Sequence, residues 1–300
     1  MILALIVVIV SALLSAATFY FGIFPSNGWT WIWFPFLETI ALFVAIYMLI
    51  MVVSIFYASW IKNNGIEYMP YSRKAQWWLS QWCWFALFFT RTKVHVTGKG
   101  RIDYKHRFMM VSNHLSAFDH IAIFARFTHH PLIAVSKKEN FQIPFEGGLT
   151  KKCGFLPMDR SSMTKGKKII EVAGEYIKDN VCSVCIAPEG TRNRQFPNPI
   201  LLPFHPGSFE MAKIAKCQIV VLAIQNTNAV LRRAPFRKTH VYLDVVGVLS
   251  YDQYKDMTNA EIAKRCEELI LKRFDEKEAR FYHLPPQVEE TPEESVDENE

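Results

Sequence analysis

Two short strings in this 300-residue chain hold side chains that could do chemistry together. The first is Asn113-His114-Leu115-Ser116-Ala117-Phe118-Asp119-His120, which directly follows the apolar run 108–112. An imidazole near neutral pH can take a proton from a weak nucleophile such as an alcohol, and a carboxylate five residues on can hold the ring's other nitrogen. Five residues of regular helix subtend about 140°, so His114 and Asp119 cannot share one helix face. His114 is therefore expected on a turn, with Asp119 in the first turns of the helix that follows. The second string, Pro188-Glu189-Gly190-Thr191-Arg192, follows the apolar run 181–187. It puts a glycine, a hydroxyl and a guanidinium fork in one loop, a combination suited to gripping phosphate. Both strings fall at the carboxyl ends of predicted strands, where open α/β sheets bind their ligands.

By residue type alone the first string admits other roles: a capping histidine beside a solvated Asp119, or a metal pair made with His120. No third spaced ligand accompanies that pair, so no metal is expected. Lys137 and Lys138 can equally be solvated, and Arg160 can serve a structural ion pair.

The order of NHxxxxD, an Asp-Arg block, PEGTR and a further apolar strand resembles the lysophosphatidic acid acyltransferase (1-acylglycerol-3-phosphate O-acyltransferase) family over roughly residues 93 to 250. The family motif GxxFIDR is similar to Gly154-Phe155-Leu156-Pro157-Met158-Asp159-Arg160, with Pro157 and Met158 replacing Phe-Ile. Its EGTR matches Glu189, Gly190, Thr191 and Arg192 unchanged, and Ser136-Lys137-Lys138-Glu139 is similar to its Lys-Lys-Glu stretch. Its last motif, Val-Pro-Val-Ala-Ile, is similar to residues 220–224, where Val221 stands in the proline position.

The resemblance implies that His114 and Asp119 are catalytic. It assigns Glu189, Gly190, Thr191 and Arg192 to binding the acceptor, with Lys137, Arg160 and Asn113 counted beside them. The implied reaction moves an acyl chain from a thioester of coenzyme A or acyl carrier protein to the free hydroxyl of 1-acylglycerol 3-phosphate, with no cofactor. Another lysophospholipid or a lyso-ornithine-type lipid is an alternative acceptor. A rival of another class is a catalytically silent membrane protein that binds lipid with the same basic loop.

These side chains need a scaffold, and the pattern from residue 93 onward supplies one. Apolar runs at 93–98, 108–112, 132–136, 181–187, 219–224 and 239–249 predict strands. Between them Ile169, Val172, Ala173, Tyr176 and Ile177 recur at helical spacing, with Ser161 or Ser162 available as N-cap. A last helix is predicted over 258–280, its apolar side formed by Ile262, Cys266, Leu269, Ile270 and Phe274. The fold class is α/β, a central mixed sheet flanked by helices over residues 93–285, glycerolipid acyltransferase-like by the resemblance.

Ahead of it, residues 1–24 and 39–58 contain no Asp, Glu, Lys, Arg or His, and each is long enough to cross a hydrocarbon layer of ~30 Å. A membrane hairpin is expected over 1–62, its connection at 25–38 free of Lys and Arg. Lys62, Arg73 and Lys74 follow the second span, which places the body of this integral membrane protein on the cytoplasmic face. All eight tryptophans lie between residues 29 and 84, so the segment 63–92 is expected to be an interfacial helix.

Seven acids in the last twelve residues mark 286–300 as a disordered acidic tail, and the formal +6 becomes +13 without them. That basic body suits an anionic membrane surface, and no nucleic-acid motif accompanies it. Of the six cysteines, Cys182 and Cys185 form a lone CxxC inside an apolar run and are expected in the core, as reduced thiols of a cytosol-facing body.

Overall fold

The computed structural model describes residues 2–22, 30–59, 69–143 and 146–275; the acidic tail lies outside them. Seven strands, β1 Thr92–Thr97, β2 Met109–Ser112, β3 Leu132–Lys137, β4 Leu156–Met158, β5 Ser183–Ile186, β6 Ile219–Gln225 and β7 Thr239–Leu249, form one sheet in the order β1-β7-β6-β2-β5-β3-β4. Among the described strands only β6 and β7 pair antiparallel. The five strands β2 to β6 therefore end at one rim, and β1 and β7 run the other way.

Among the described residues ten α-helices accompany the sheet: α1 Ile2–Tyr20, α2 Thr30–Ser59, α3 Arg73–Phe89, α4 Phe118–Arg126, α5 Glu146–Cys153, α6 Met163–Lys178, α7 Glu210–Ala215, α8 Val230–Arg233, α9 Tyr251–Tyr254 and α10 Asn259–Asp275. α3, α4 and α5 gather on one side, and α6, α7 and α10 on the other. Covered on both faces, the central strands are mostly apolar rather than alternating, and all seven residues of β6 are buried. α6 starts at Ser162, whose hydroxyl accepts from the Lys165 amide at 3.4 Å, and buries Ile169, Ala173 and Ile177 as their spacing predicts.

β4 escapes the strand pattern because it is three residues long and contains Pro157. Proline donates no ladder hydrogen bond and is tolerated at a sheet edge, which is where β4 lies. Gly154 just before it has φ +90°, and a Cβ there would stand 2.8 Å from the Tyr71 Cα. The approach to the Asp-Arg block is thus built for glycine.

α2 begins earlier than the charge pattern implies and takes in Pro35 and Glu38, both expected in the connection. The reason is a polar seam with α1. Ser15 and Thr39 hydroxyls donate to the Pro35 carbonyl at 2.9 and 2.7 Å, and those of Ser15 and Thr18 donate to Glu38 Oε2 at 3.1 and 2.7 Å. A carbonyl and a carboxylate that would otherwise interrupt an apolar helix are thereby partnered. Within α2, Trp33–Ser54 is long and apolar enough to cross a membrane, while Leu5–Tyr20 of α1 is a shorter apolar helix.

α3 faces two ways. Ala75, Leu79, Cys83 and Leu87, spaced by four, are buried in the core, whereas Trp77, Phe88 and Phe89 are exposed. All six cysteines are free and buried. Burial pushes the Cys182 and Cys185 thiols up to about 12, away from the thiolate that metal or redox chemistry needs.

Candidate active site

The shared rim collects the functional side chains. β2 leads into His114, β3 ends in Lys137, β4 leads into Asp159 and Arg160, β5 into residues 187–192, and β6 into Thr227. A cavity of about 650 Å³ opens here, and His114, Lys137, Arg160, Thr191 and Arg192 all line it.

His114 precedes α4 and Asp119 lies in its first turn, the arrangement the 140° offset requires. His114 Nδ1 lies 2.7 Å from Asp119 Oδ2, which also accepts the amides of Leu115 at 2.7 Å and Ser116 at 2.9 Å. Thr227 Oγ1 donates to the other oxygen, Oδ1. Four donors thus converge on one buried carboxylate, which has the lone pairs to receive them. Since the carboxylate accepts at Nδ1, the lone pair of the neutral ring sits on Nε2, and the ring lines the cavity. Both Asp119 oxygens thus accept from protein donors. Beside the pair, burial and the nearby His114 ring hold His120 down to about 4, so His120 is neutral near pH 7.

The β5 loop fixes the backbone of His114 at both ends. Glu189 Oε1 accepts the His114 amide at 2.6 Å, and the Asn193 amide donates to the His114 carbonyl at 2.8 Å. Glu189 Oε2 accepts the Leu202 amide at 3.1 Å, so this buried side chain is spent on the scaffold and does not line the cavity. Asn113 is likewise turned to structure: its amide donates to the Ile224 carbonyl at 2.9 Å and its oxygen accepts the Ile224 amide at 2.7 Å, splicing β2 to β6. The expected acceptor contacts of Glu189 and Asn113 give way to these roles. Gly190 also lies off the cavity wall; its φ of +69° and the His205 ring, 2.8 Å from where a Cβ would stand, explain the glycine. Of the EGTR string, Thr191 and Arg192 are the residues that reach the cavity.

Residues 93–225 match the model of the Acyltransferase family, a span that contains His114, Asp119, Arg160 and the EGTR loop. Residues 93–225 form an acyltransferase-family domain. Among its relatives are proteins named 1-acyl-sn-glycerol-3-phosphate acyltransferase from Salmonella typhimurium, 27% identical over 166 residues, 55% of this chain and 66% of the relative. Those of Escherichia coli K12 (26%, with the same shares) and Saccharomyces cerevisiae (28%, 51% of this chain and 52% of the relative) are similar. The chain thus spans just under two thirds of the bacterial relatives' length and about half of the yeast one. The crystal structure of the 1-acyl-sn-glycerophosphate acyltransferase PlsC from Thermotoga maritima shares the fold, with a TM-score of 0.58 at 20% identity, covering 80% of this chain and 93% of that one.

The cavity holds more than the motifs announce. Arg194 and Glu146 line it too, so four cations (Lys137, Arg160, Arg192, Arg194) face one carboxylate. Burial raises the Glu146 carboxyl and Arg192 pulls it back. Asp159 does not reach the cavity: it accepts from Ser161 and pairs with Lys138 and Lys165 at 3.5 and 3.8 Å, which steadies the turn presenting Arg160. An apolar stretch of wall is built from Leu79 and Phe85 of α3, Ile121 and Phe124 of α4, and Leu149 of α5.

Burial pushes the Glu189 carboxyl from 4.5 up to about 7, against the opposing pull of the His114 and Leu202 amides. A carboxyl raised by folding binds its proton in the native chain first, so its contribution to stability grows as pH falls from about 7 to 4.5 and is lost as pH rises through 7. Glu189→Gln is expected to remove that component. Thermal unfolding of both proteins across this window checks it: the wild type should gain on acidification relative to the variant, and parallel curves would contradict the assignment.

Proposed function

We propose that this chain transfers an acyl chain from a thioester to the free hydroxyl of 1-acylglycerol 3-phosphate, giving phosphatidic acid and a free thiol. The observation that carries the reading is a single cavity shared by the His114 ring, the Arg192 guanidinium and an apolar wall. Each part answers one need of the reaction. An alcohol is a poor nucleophile at neutral pH, so Nε2 of His114 takes the hydroxyl proton as the oxygen attacks the thioester carbonyl. Asp119 keeps the ring in the tautomer with the proton on Nδ1 and stabilises the imidazolium that forms. The C–S bond then breaks, and the departing sulfur receives the proton from the imidazolium.

Arg192, with Lys137 and Arg160, holds the acceptor's phosphate and so sets its hydroxyl against His114. Leu79, Phe85 and Phe124 receive acyl chain. A thioester of either coenzyme A or acyl carrier protein meets these requirements. α1 and α2 anchor the body at the cytoplasmic face of the membrane, where both lipid chains already reside and need not be drawn into water.

The test is thiol release by the purified full chain supplied with acyl thioester and 1-acylglycerol 3-phosphate. Release is expected to require the acceptor and to persist with chelator present. Saturable acceptor binding without thiol release would make the chain a lipid-binding protein, and loss of release with chelator would favour metal hydrolysis. Thr227→Val is expected to lower kcat by about tenfold, the worth of one hydrogen bond to a charged group, with the acceptor KM unchanged. Steady-state rates decide this, and an unaltered kcat would remove Thr227 from the positioning of Asp119.

A further inference from the structure

The rim that carries the site also carries a second, acid-free surface that the reaction does not use. Residues 226–243 include Arg232, Arg233, Arg237 and Lys238 but no Asp or Glu, and residues 88–97 add Arg91 and Lys93, again without an acid. All six cations are exposed. None of them makes a salt bridge among the described residues. The two segments are joined: the Thr239 amide donates to the Arg91 carbonyl at 3.2 Å, and Arg91 Nη1 donates to the Phe236 carbonyl at 3.0 Å. Among the cations stand four large apolar side chains, Phe88 (74% exposed), Phe89 (54%), Leu231 (70%) and Phe236 (85%). Exposed aromatic and aliphatic groups interleaved with unpaired basic ones make up an interfacial contact rather than a surface meant for water.

Its position points the same way. The rings of Tyr47 and Phe85 stack at 4.8 Å, and Val53 and Ser54 border a small cavity with Trp78 and Trp82. α2 and α3 are therefore antiparallel, and the first part of α2 runs past the C-terminal end of α3. From the level of Phe89 back to Thr30 that projection is roughly 20 Å at 1.5 Å per residue. The exposed surface lies where the apolar hairpin leaves the body.

We propose that this surface is a second membrane contact, which docks the rim onto an anionic bilayer. Leu231 and Phe236 enter the headgroup layer, and the surrounding cations pair with lipid phosphates. Docking there would press the mouth of the cavity toward its lipid substrate. The inference rests on α2 entering the membrane and not on the acyl-transfer reading.

The test attaches an environment-sensitive fluorophore to Leu231→Cys in the full chain; the native cysteines are all buried. The chain is reconstituted into vesicles of phosphatidylglycerol or of phosphatidylcholine containing headgroup-region quencher lipids. Lys105→Cys, on an exposed loop at the opposite rim, serves as the control. The expected result is a blue shift and quenching at 231 in the anionic vesicles. Both are expected to fall to the level of the 105 label when Arg232, Arg233, Arg237 and Lys238 are changed together to Ala. Equal emission from the 231 and 105 labels in anionic vesicles would overturn the proposal. So would a 231 label that answers to a soluble acidic carrier protein and not to the bilayer. Because the readout is independent of thiol release, failure here and failure of the enzymatic reading are separable.

Discussion

His114→Ala is expected to lower kcat for acyl transfer by about 10²–10⁴-fold while leaving the acceptor KM within about threefold, because on the proposed mechanism it removes the general base and no phosphate contact. The ring is the group that lines the cavity with a free nitrogen, while its backbone is fixed by Glu189 and Asn193 whatever the side chain. Truncation should therefore leave the loop in place. His120, 5.7 Å away ring to ring, cannot substitute, since its Nε2 and Nδ1 lack the Asp119 partner. Burst and steady-state thiol release check this, and a variant with near-full kcat would remove the base from the mechanism.

Asp119→Asn is expected to cost about 10²–10⁴-fold in kcat, comparable to loss of the orienting carboxylate in other His-based acyl-transfer sites. Three donors meet at Asp119 Oδ2: the His114 ring and the Leu115 and Ser116 amides. An asparagine that turns its oxygen to them keeps the geometry but loses the charge that stabilises the imidazolium. One that turns its NH₂ to them places donor against donor and drives the ring into the wrong tautomer. Either way the loss falls on kcat, and phosphate binding at Arg192 persists. Measured kcat and acceptor KM, beside unfolding curves that show a folded protein, distinguish this from general damage. A fall confined to KM would contradict the orienting role.

Much of this site could be read from local spacing. The five-residue separation of His114 and Asp119 forces one onto a turn and the other onto a helix, and α4 begins where that requires. The PEGTR string at the end of an apolar run likewise foretold a loop at a strand's end. What spacing could not show is which atoms of a motif face the substrate. Glu189 and Asn113 sit inside the recognisable strings, yet their side chains serve backbone groups of Leu202 and Ile224, partners that only the folded sheet brings close. Thr227 is 108 residues from Asp119 and carries no local signal; it reaches the carboxylate because β6 lies next to β2.

The same limit applies to α3 and the hairpin. Tryptophan clustering alone predicts an interfacial helix over 63–92, but the four-residue stripe of Ala75, Leu79, Cys83 and Leu87 in α3 builds the core, and Leu79 and Phe85 wall the cavity. Glu38 looked like a loop residue because a lone acid in an apolar stretch is costly. The hydroxyls of Ser15 and Thr18, which offset that cost, come from another helix.

On the proposed mechanism the His114 imidazole and the Arg192 guanidinium act on one acceptor molecule. The most direct measurement compares Arg192→Ala with the wild type on two acceptors, 1-acylglycerol 3-phosphate and the monoacylglycerol that lacks its phosphate. The variant is expected to lose about 10- to 100-fold in kcat/KM on the phosphorylated acceptor, the worth of hydrogen bonds to a charged group, and nothing on the other. Equal losses on both acceptors, or none on either, would contradict it.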